Sequence, residues 1–140
     1  MNAKVADLMV TPAITTTGHK SVEHVKDIMQ KNKIHSVPVL NDEGEPIGII
    51  TTSDFLKGHA DGTPVSKIMT EGQVYTVPEY SDLHIAARIM RNHRIHHLVV
   101  TNEQKAIGVI SAFDLLKLVE DHRFVMKSGP TPKKKRKERV

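Results

Sequence analysis

The sequence predicts a mixed α/β (α+β) fold of two similar halves, each ordered helix–strand–helix–strand–strand–helix. Three short patterns occur twice in the same order, at a spacing of about sixty residues. They are a helical turn ending in methionine, a strand that begins after a histidine, and an apolar strand that runs directly into a helix. The matched pairs are 5–9 with 65–69, 34–39 with 95–100, and 48–57 with 108–117. Because each half alone would expose one sheet face, we expect the two sheets to pack on each other about a pseudo-twofold axis.

Caps and periodicity indicate the elements between these patterns. Ser21 and Asp82 are suited to begin the second helix of each half. Apolar residues then recur at helical spacing within 22–29 and 83–90, which predicts two amphipathic helices. The remaining predicted elements are short strands at 13–16 and 73–77 and turns at 41–45 and 102–105.

The domain boundaries follow from the repeats and from a change of composition near the C-terminus. Repeat 1 is placed at 1–60 and repeat 2 at 61–124, which leaves 125–140 as a basic tail that we expect to be disordered. The net charge is +4, but residues 127–140 hold seven Lys or Arg and one Glu, so the rest of the chain carries −2. The tail is similar to a nuclear localisation signal and also suits a nonspecific contact with nucleic acid or anionic lipid. Nucleic-acid binding through this tail is the alternative function.

Composition and motifs argue against several classes of function. The 140 residues contain no cysteine, so disulfides and thiolate metal sites are not available. We expect no metal site among the nine histidines, because no acidic residue flanks them at ligand spacing. No apolar run reaches the roughly 20 residues that span a bilayer, and no signal peptide is present, so we expect a cytoplasmic protein. No nucleophile–base pair, paired carboxylates or Walker-type loop appears, so we expect a protein that is not an enzyme.

The strand-to-helix segment also contains the residues that are suited to bind a ligand. Thr51 and Ser111 stand at the strand ends, and Asp54 and Asp114 follow three residues later in the first helical turn. A single copy is most simply a helix cap. Two copies at matching positions favour a binding site, because a hydroxyl beside unpaired backbone N–H groups suits an anion. The carboxylate can accept bonds from two sugar hydroxyls.

Together these patterns resemble a tandem pair of cystathionine-β-synthase (CBS) domains, or Bateman module, over roughly residues 3–122. The resemblance rests on Val5-x-x-Leu8-Met9, Ile34-His35-Ser36-Val37-Pro38-Val39 and Gly48-Ile49-Ile50-Thr51-x-x-Asp54, each echoed in the second half. The family implies a regulatory module that senses an adenosine nucleotide (AMP, ADP or ATP) between its repeats, signals to a partner protein and requires no cofactor. It also implies a homodimer, for which we expect the apolar faces of 22–29 and 83–90 to supply the surface.

Carried over residue by residue, the resemblance implies two ligand clefts. In each, the hydroxyl contacts phosphate and the aspartate takes the ribose hydroxyls, while apolar residues of the opposite repeat line the adenine slot. One cleft then holds Ser111 and Asp114 facing Ile14 and Ile34, and the other holds Thr51 and Asp54 facing Val74 and Ile95.

Histidines are expected at the phosphate end of both clefts. Family members that hold phosphates often carry His-Arg where this chain has His35-Ser36 and His96-His97, so it lacks that guanidinium. The resemblance places the first pair beside Thr51 and the second beside Ser111. A protonated His97 would replace part of the missing charge. We therefore expect tighter nucleotide binding in the cleft of Ser111, with a preference that fades as the pH rises through the histidine range.

Overall fold

The computed structural model describes residues 3–69 and 74–122, which form two three-stranded sheets with helices. The strands of the first sheet are β1 (Thr16–Thr17), β2 (Ser36–Leu40) and β3 (Pro46–Thr51), and those of the second are β4 (Thr76–Pro78), β5 (His97–Asn102) and β6 (Lys105–Ser111). In both sheets the first pair of strands is parallel and the second is antiparallel. The predicted repeated α/β fold is confirmed. The tail at 125–140, with its predicted disorder and nucleic-acid contact, lies outside the described residues.

The helices occupy matching positions in the two repeats. They are α1 (Val5–Leu8), α2 (Val22–Asn32), α3 (Leu83–His93) and α4 (Ala112–Glu120), with 3₁₀ helices at Thr52–Lys57 and Val65–Lys67. The Ser21 side chain accepts a hydrogen bond from the His24 backbone N–H at 3.1 Å, as expected for the cap of α2. Both α2 and α3 end at a residue in the left-handed conformation, Lys33 and Arg94, each with φ of 55°. Among the described residues, no helix combines the length and the apolar character needed to cross a membrane.

The first helix of each repeat completes the core of the other repeat. Val5 of α1 is fully buried in the second core, and its N–H donates to the Ser81 carbonyl at 2.8 Å. Val65, in the matching 3₁₀ helix, is fully buried in the first core and donates to the Lys20 carbonyl at 2.8 Å. Segments 1–60 and 61–124 therefore exchange their leading helices, and the two cores are linked by this exchange.

The faces of the sheets that point away from these cores are also covered. Val37 and Val39 pack into the first core, whereas Pro38, between them on β2, points to the other side. Pro38 and its counterpart on β5, Val99, are nevertheless buried. This burial is consistent with sheets packed on each other, as the sequence predicts, and two clefts lined by both repeats lie beside them.

The apolar faces of α2 and α3 are buried inside the molecule. Their core residues are at most 5% exposed, so they are not available to a second copy as the sequence analysis supposed. The sheet and the exchanged helix together cover them. These core residues are Val22, Val25, Met29, Leu83, Ala86 and Met90. Several of the large apolar residues that are exposed lie instead on the Thr52–Lys57 helix and on α4, namely Leu56, Phe113, Leu116, Leu118 and Val119.

Candidate functional site

The larger cleft lies between the segment that precedes β1 and the start of α4. Its volume is about 620 Å³, and it brings together Ile14, Ile34, Ser111 and Asp114. The first two come from repeat 1 and the last two from repeat 2, as the sequence predicts. Two backbone hydrogen bonds hold the segment before β1, which forms the outer wall of the cleft, against β6. The Val10 N–H donates to the Val109 carbonyl at 2.9 Å, and the Val109 N–H donates to the Val10 carbonyl at 3.1 Å. We call this space the Asp114 cleft.

The smaller cleft, of about 300 Å³, lies at the matching place in the other half. Thr51 and Ile95 line it as predicted, and we call it the Thr51 cleft. Asp54 is not among its lining residues; its carboxylate accepts the Thr51 backbone N–H at 2.7 Å. Val74 lies in a separate hollow with Glu45 and Tyr80.

Tyr75, and not Val74, occupies the position that Ile14 has in the Asp114 cleft. Sheet register shows why. Thr16 pairs with Val39 in the first sheet, and Val77 pairs with Val100 in the second. Tyr75 therefore stands two residues before its paired position, as Ile14 does, and Tyr75 lines the Thr51 cleft. The second repeat is one residue longer between Met69 and Val77 than the first is between Met9 and Thr16, which shifted the sequence-based assignment to Val74.

The two aspartates are held in the same way at the start of a helix. Asp114 Oδ2 accepts the Ser111 backbone N–H at 2.8 Å, and Ser111 Oγ accepts the Asp114 backbone N–H at 3.1 Å. Asp54 Oδ2 makes the matching bond to Thr51, whose hydroxyl lies 2.9 Å from Ser53 Oγ. Both motifs therefore act as caps. Within the described residues, Oδ1 of each aspartate has no hydrogen-bond partner, so capping leaves one oxygen for a ligand.

The histidines are distributed differently from the sequence-based expectation. His35 and Ser36 line the Asp114 cleft and are absent from the lining of the Thr51 cleft. His96 and His97 line both clefts. The Asp114 cleft thus receives imidazoles from both repeats, and the imidazole pair of repeat 2 stands between the clefts.

The environment of His97 disfavours its charged form. Burial lowers the pKa of His97 below its ordinary value of 6.5, and neighbouring His96 and His35 lower it further. The negative charge of Asp114 raises the pKa of His97, but by less than the other groups lower it. At neutral pH the expected cationic donor is therefore a neutral imidazole. The expected preference for the Asp114 cleft through a charged His97 therefore applies only in acid.

Each cleft is lined by one Lys or Arg side chain that the sequence-based site assignment did not include. Lys33 lines the Asp114 cleft and Arg94 lines the Thr51 cleft. Lys33 directly precedes Ile34, and Arg94 directly precedes Ile95. Aligning the two repeats would therefore have shown a basic residue beside each predicted apolar lining residue. Within 3–69 and 74–122, no three His, Asp or Glu side chains are grouped so that they could hold a metal ion.

Comparison with curated proteins finds relatives that are several times longer. An inosine-5′-monophosphate dehydrogenase of Aquifex aeolicus is 37% identical over 112 residues, which cover 78% of this chain and 23% of that protein. A homoserine O-acetyltransferase of Methanosalsum zhilinae is 32% identical over 124 residues, which cover 87% of this chain and 25% of that protein. The chain thus spans about a quarter of the length of these relatives.

Solved structures with the same fold cover nearly the whole described region. The CBS domain pair of protein MJ0100, in complex with 5′-methylthioadenosine and S-adenosyl-L-methionine, superposes with a TM-score of 0.79 at 24% identity. That match covers 86% of this chain and 98% of the other. A CBS domain protein of Pyrobaculum aerophilum, complexed with AMP, gives a TM-score of 0.75 at 23% identity and covers 84% and 99%.

The family model for the CBS domain matches twice, at residues 5–61 and 65–121. These ranges contain both strand-to-helix motifs and both clefts described above. The chain belongs to the CBS domain family and carries two CBS domains in tandem.

Proposed function

We propose that this chain is a regulatory module that binds an adenosine nucleotide (AMP, ADP or ATP) in the Asp114 cleft and transmits its occupancy to a partner protein. The observation that carries the proposal is the composition of that cleft. Its apolar side, with Ile14 and Ile34, comes from one repeat, while Ser111 and Asp114 come from the other. A nucleotide needs both surfaces in one cleft, because its base is flat and apolar and its ribose phosphate is polar.

Size and charge support the Asp114 cleft as the principal nucleotide site. Its volume of about 620 Å³ lies well within the range of small-molecule sites, whereas the Thr51 cleft, at about 300 Å³, lies at the lower limit. Lys33 and His35 add positive or donor groups to the larger space. Proteins of the same fold are solved with AMP or with S-adenosyl-L-methionine, which supports an adenosine-type ligand.

A ligand in this cleft contacts both repeats and therefore favours one arrangement of them. Binding shifts the population of arrangements by the difference in affinity between them. We propose that a partner protein reads this shift, and that the chain has no catalytic role of its own. The nucleic-acid alternative depends on residues 125–140, and no described feature supports it.

We further propose that two copies associate through the apolar face of α4 formed by Phe113, Leu116 and Val119, which recur at helical spacing. These residues are between 55% and 78% exposed, although apolar side chains of this size normally avoid such exposure in clusters. Association of the two copies would remove this surface from water.

Calorimetric titration with AMP tests the nucleotide site. Asp114→Asn keeps an acceptor for the helix cap but removes the charge offered to the ribose hydroxyls. We expect it to weaken AMP binding about 10- to 100-fold, as the loss of a charge-assisted hydrogen bond predicts. Asp54→Asn is the matched control and should leave the tight site unchanged. Equal losses from both variants would contradict the site assignment, and absence of heat with AMP, ADP and ATP would exclude nucleotide sensing.

A further inference from the structure

Phe113 belongs to two surfaces of the molecule at once. It lines the Asp114 cleft, and yet it is 78% exposed, so it stands at the opening of the cleft. It is also the first residue of the apolar stripe on α4 that continues through Leu116 and Val119. The surface through which two copies are proposed to associate therefore begins at the lining of the ligand site.

Exposed apolar surface continues on the other side of the same opening. Val10, which repeat 1 supplies, is 57% exposed and lines the Asp114 cleft opposite the start of α4. The opening thus carries an apolar side chain from each repeat. In a single copy of the chain both side chains remain largely in water, which is unfavourable.

The Thr51 cleft has a polar residue at the position of Phe113. Ser53 is the counterpart, because it follows Thr51 by two residues as Phe113 follows Ser111. Ser53 lines the Thr51 cleft, and its Oγ lies 2.9 Å from Thr51 Oγ. A hydroxyl held in this way gains nothing from an apolar cover. The connection between a ligand site and the stripe is therefore a property of the Asp114 cleft.

The charges on α4 suit a second copy of the same chain. Lys117 and Glu120 are exposed beside the stripe, and within 3–69 and 74–122 neither has an ion-pair partner. Two α4 helices that pack antiparallel about a twofold axis bring Lys117 of each copy to the side that carries Glu120 of the other. The contact is then complementary in charge as well as apolar along its centre.

We infer that association of two copies through α4 completes the opening of the Asp114 cleft, with Phe113 as the positioning residue that links ligand binding to assembly. The second copy covers the outer side of the ring and fixes it beside the ligand. A side chain that is already fixed loses no further conformational freedom when the ligand binds. This inference rests on the proposed function and on the dimer proposed with it.

The two equilibria must then strengthen each other. The factor by which association improves AMP affinity is also the factor by which bound AMP strengthens association, counted once for each Asp114 cleft of the dimer. Fixing one side chain in advance corresponds to about 2- to 10-fold in affinity. Saturating AMP should therefore strengthen the association of two copies by the square of this factor, about 4- to 100-fold. Sedimentation equilibrium of the unsubstituted protein with and without AMP measures this change.

A substitution outside the cleft gives the sharpest test. Leu116 lines neither cleft, and Leu116→Glu places a carboxylate in the association surface, so we expect a monomer. Calorimetry should show that this monomer binds AMP about 2- to 10-fold more weakly, although the lining of the cleft is unchanged. Gln30→Glu makes the same change of charge on the exposed face of α2 and should keep the unsubstituted affinity.

Phe113→Ser copies the residue of repeat 1 and tests the link itself. Its association, measured by sedimentation over a range of protein concentrations, should no longer respond to AMP. Association that still responds to AMP in this variant would overturn the role of Phe113.

The remaining outcomes separate this inference from the proposed function. Equal AMP affinity of monomeric Leu116→Glu and the unsubstituted dimer would overturn the inference and leave nucleotide sensing intact. A single chain mass for the unsubstituted protein, with and without AMP, would overturn it too, because α4 would then not meet a second copy. If the unsubstituted protein binds no AMP at all, the proposed function fails and the inference fails with it.

Discussion

The carbonyl oxygen of Val10 lies 2.8 Å from the point at which a side chain on Gly108 would begin. Val10 belongs to the exchanged N-terminal segment, and Gly108 is the first residue of the strand-to-helix motif on β6. In the other half, Gly48 approaches Met69, whose sulfur lies 2.6 Å from the corresponding point. The glycine of each motif thus allows the segment from the other repeat to lie against the strand beside the cleft.

The two glycines differ in what an added methyl group would meet. Gly108→Ala presses on a backbone carbonyl that is hydrogen-bonded in the sheet edge, so the outer wall of the Asp114 cleft must move. We expect a loss of about 1–3 kcal/mol in the free energy of unfolding. AMP affinity should fall as well.

Gly48→Ala is the matched control for this substitution. Its methyl group meets the flexible side chain of Met69, so it should cost less than about 1 kcal/mol. Urea unfolding of both variants measures the difference. Equal destabilisation would show that the Val10 contact is not the constraint.

Thr16 is a buried polar residue whose counterpart is apolar. It is 7% exposed, and within the described residues its hydroxyl has no hydrogen-bond partner. Val77, its counterpart by register, is 1% exposed. Thr16→Val removes an unsatisfied hydroxyl without changing the shape of the side chain, so we expect stabilisation of about 1 kcal/mol.

The reciprocal variant provides the control. Val77→Thr should destabilise the protein by a similar amount, because it buries a hydroxyl where the structure has a methyl group. The midpoints of urea unfolding measure both effects. A lower midpoint for Thr16→Val would mean that the hydroxyl has a partner.

The lowered pKa of His97 makes the folded protein sensitive to acid. Below pH 6.5 the unfolded chain binds a proton at this position more readily than the folded chain, since the folded-state pKa is lower. The free energy of unfolding should therefore decrease as the pH falls through 6.5, whereas well above this value the residue contributes no pH dependence. His96 and His35 strengthen the effect and Asp114 opposes it.

Substitution of His97 tests this dependence. His97→Gln should lose less stability than the unsubstituted protein between about pH 7.5 and about pH 5.5, the interval in which imidazole titrates. His24→Gln, on the exposed side of α2, is the control and should follow the unsubstituted protein. An unchanged slope for His97→Gln would assign the acid sensitivity to other groups.

Association through α4 is tested by the mass in solution. Leu116 is 56% exposed, and a carboxylate at its position would have to be buried in the proposed interface. We expect light scattering to give twice the chain mass for the unsubstituted protein and a single chain mass for Leu116→Glu. Gln30→Glu, on the exposed face of α2, should remain dimeric. A monomer mass for the unsubstituted protein would refute the dimer.

The repeated α/β order, the helix starts and the residues of the acidic motifs could all be predicted from the chain alone. These features depend on local patterns, because a cap or a strand-to-helix turn is encoded by neighbours in the chain. Ser111 and Asp114 could therefore be identified as a pair, and the repeat made their counterparts visible. Their capping geometry is the one that the residue types predict.

The residues of one repeat that meet those of the other could not be predicted in this way, because folding brings them together. One additional residue before Val77 replaces Val74 by Tyr75 in the Thr51 cleft. The packing of the sheets brings His35 to the Asp114 cleft and removes it from the lining of the other. The neighbours that shift the pKa of His97 likewise come from both repeats, since His35 belongs to the first and His96 and Asp114 belong to the second. Such contacts depend on register and on packing between distant segments, and neither leaves a periodic signal in the chain.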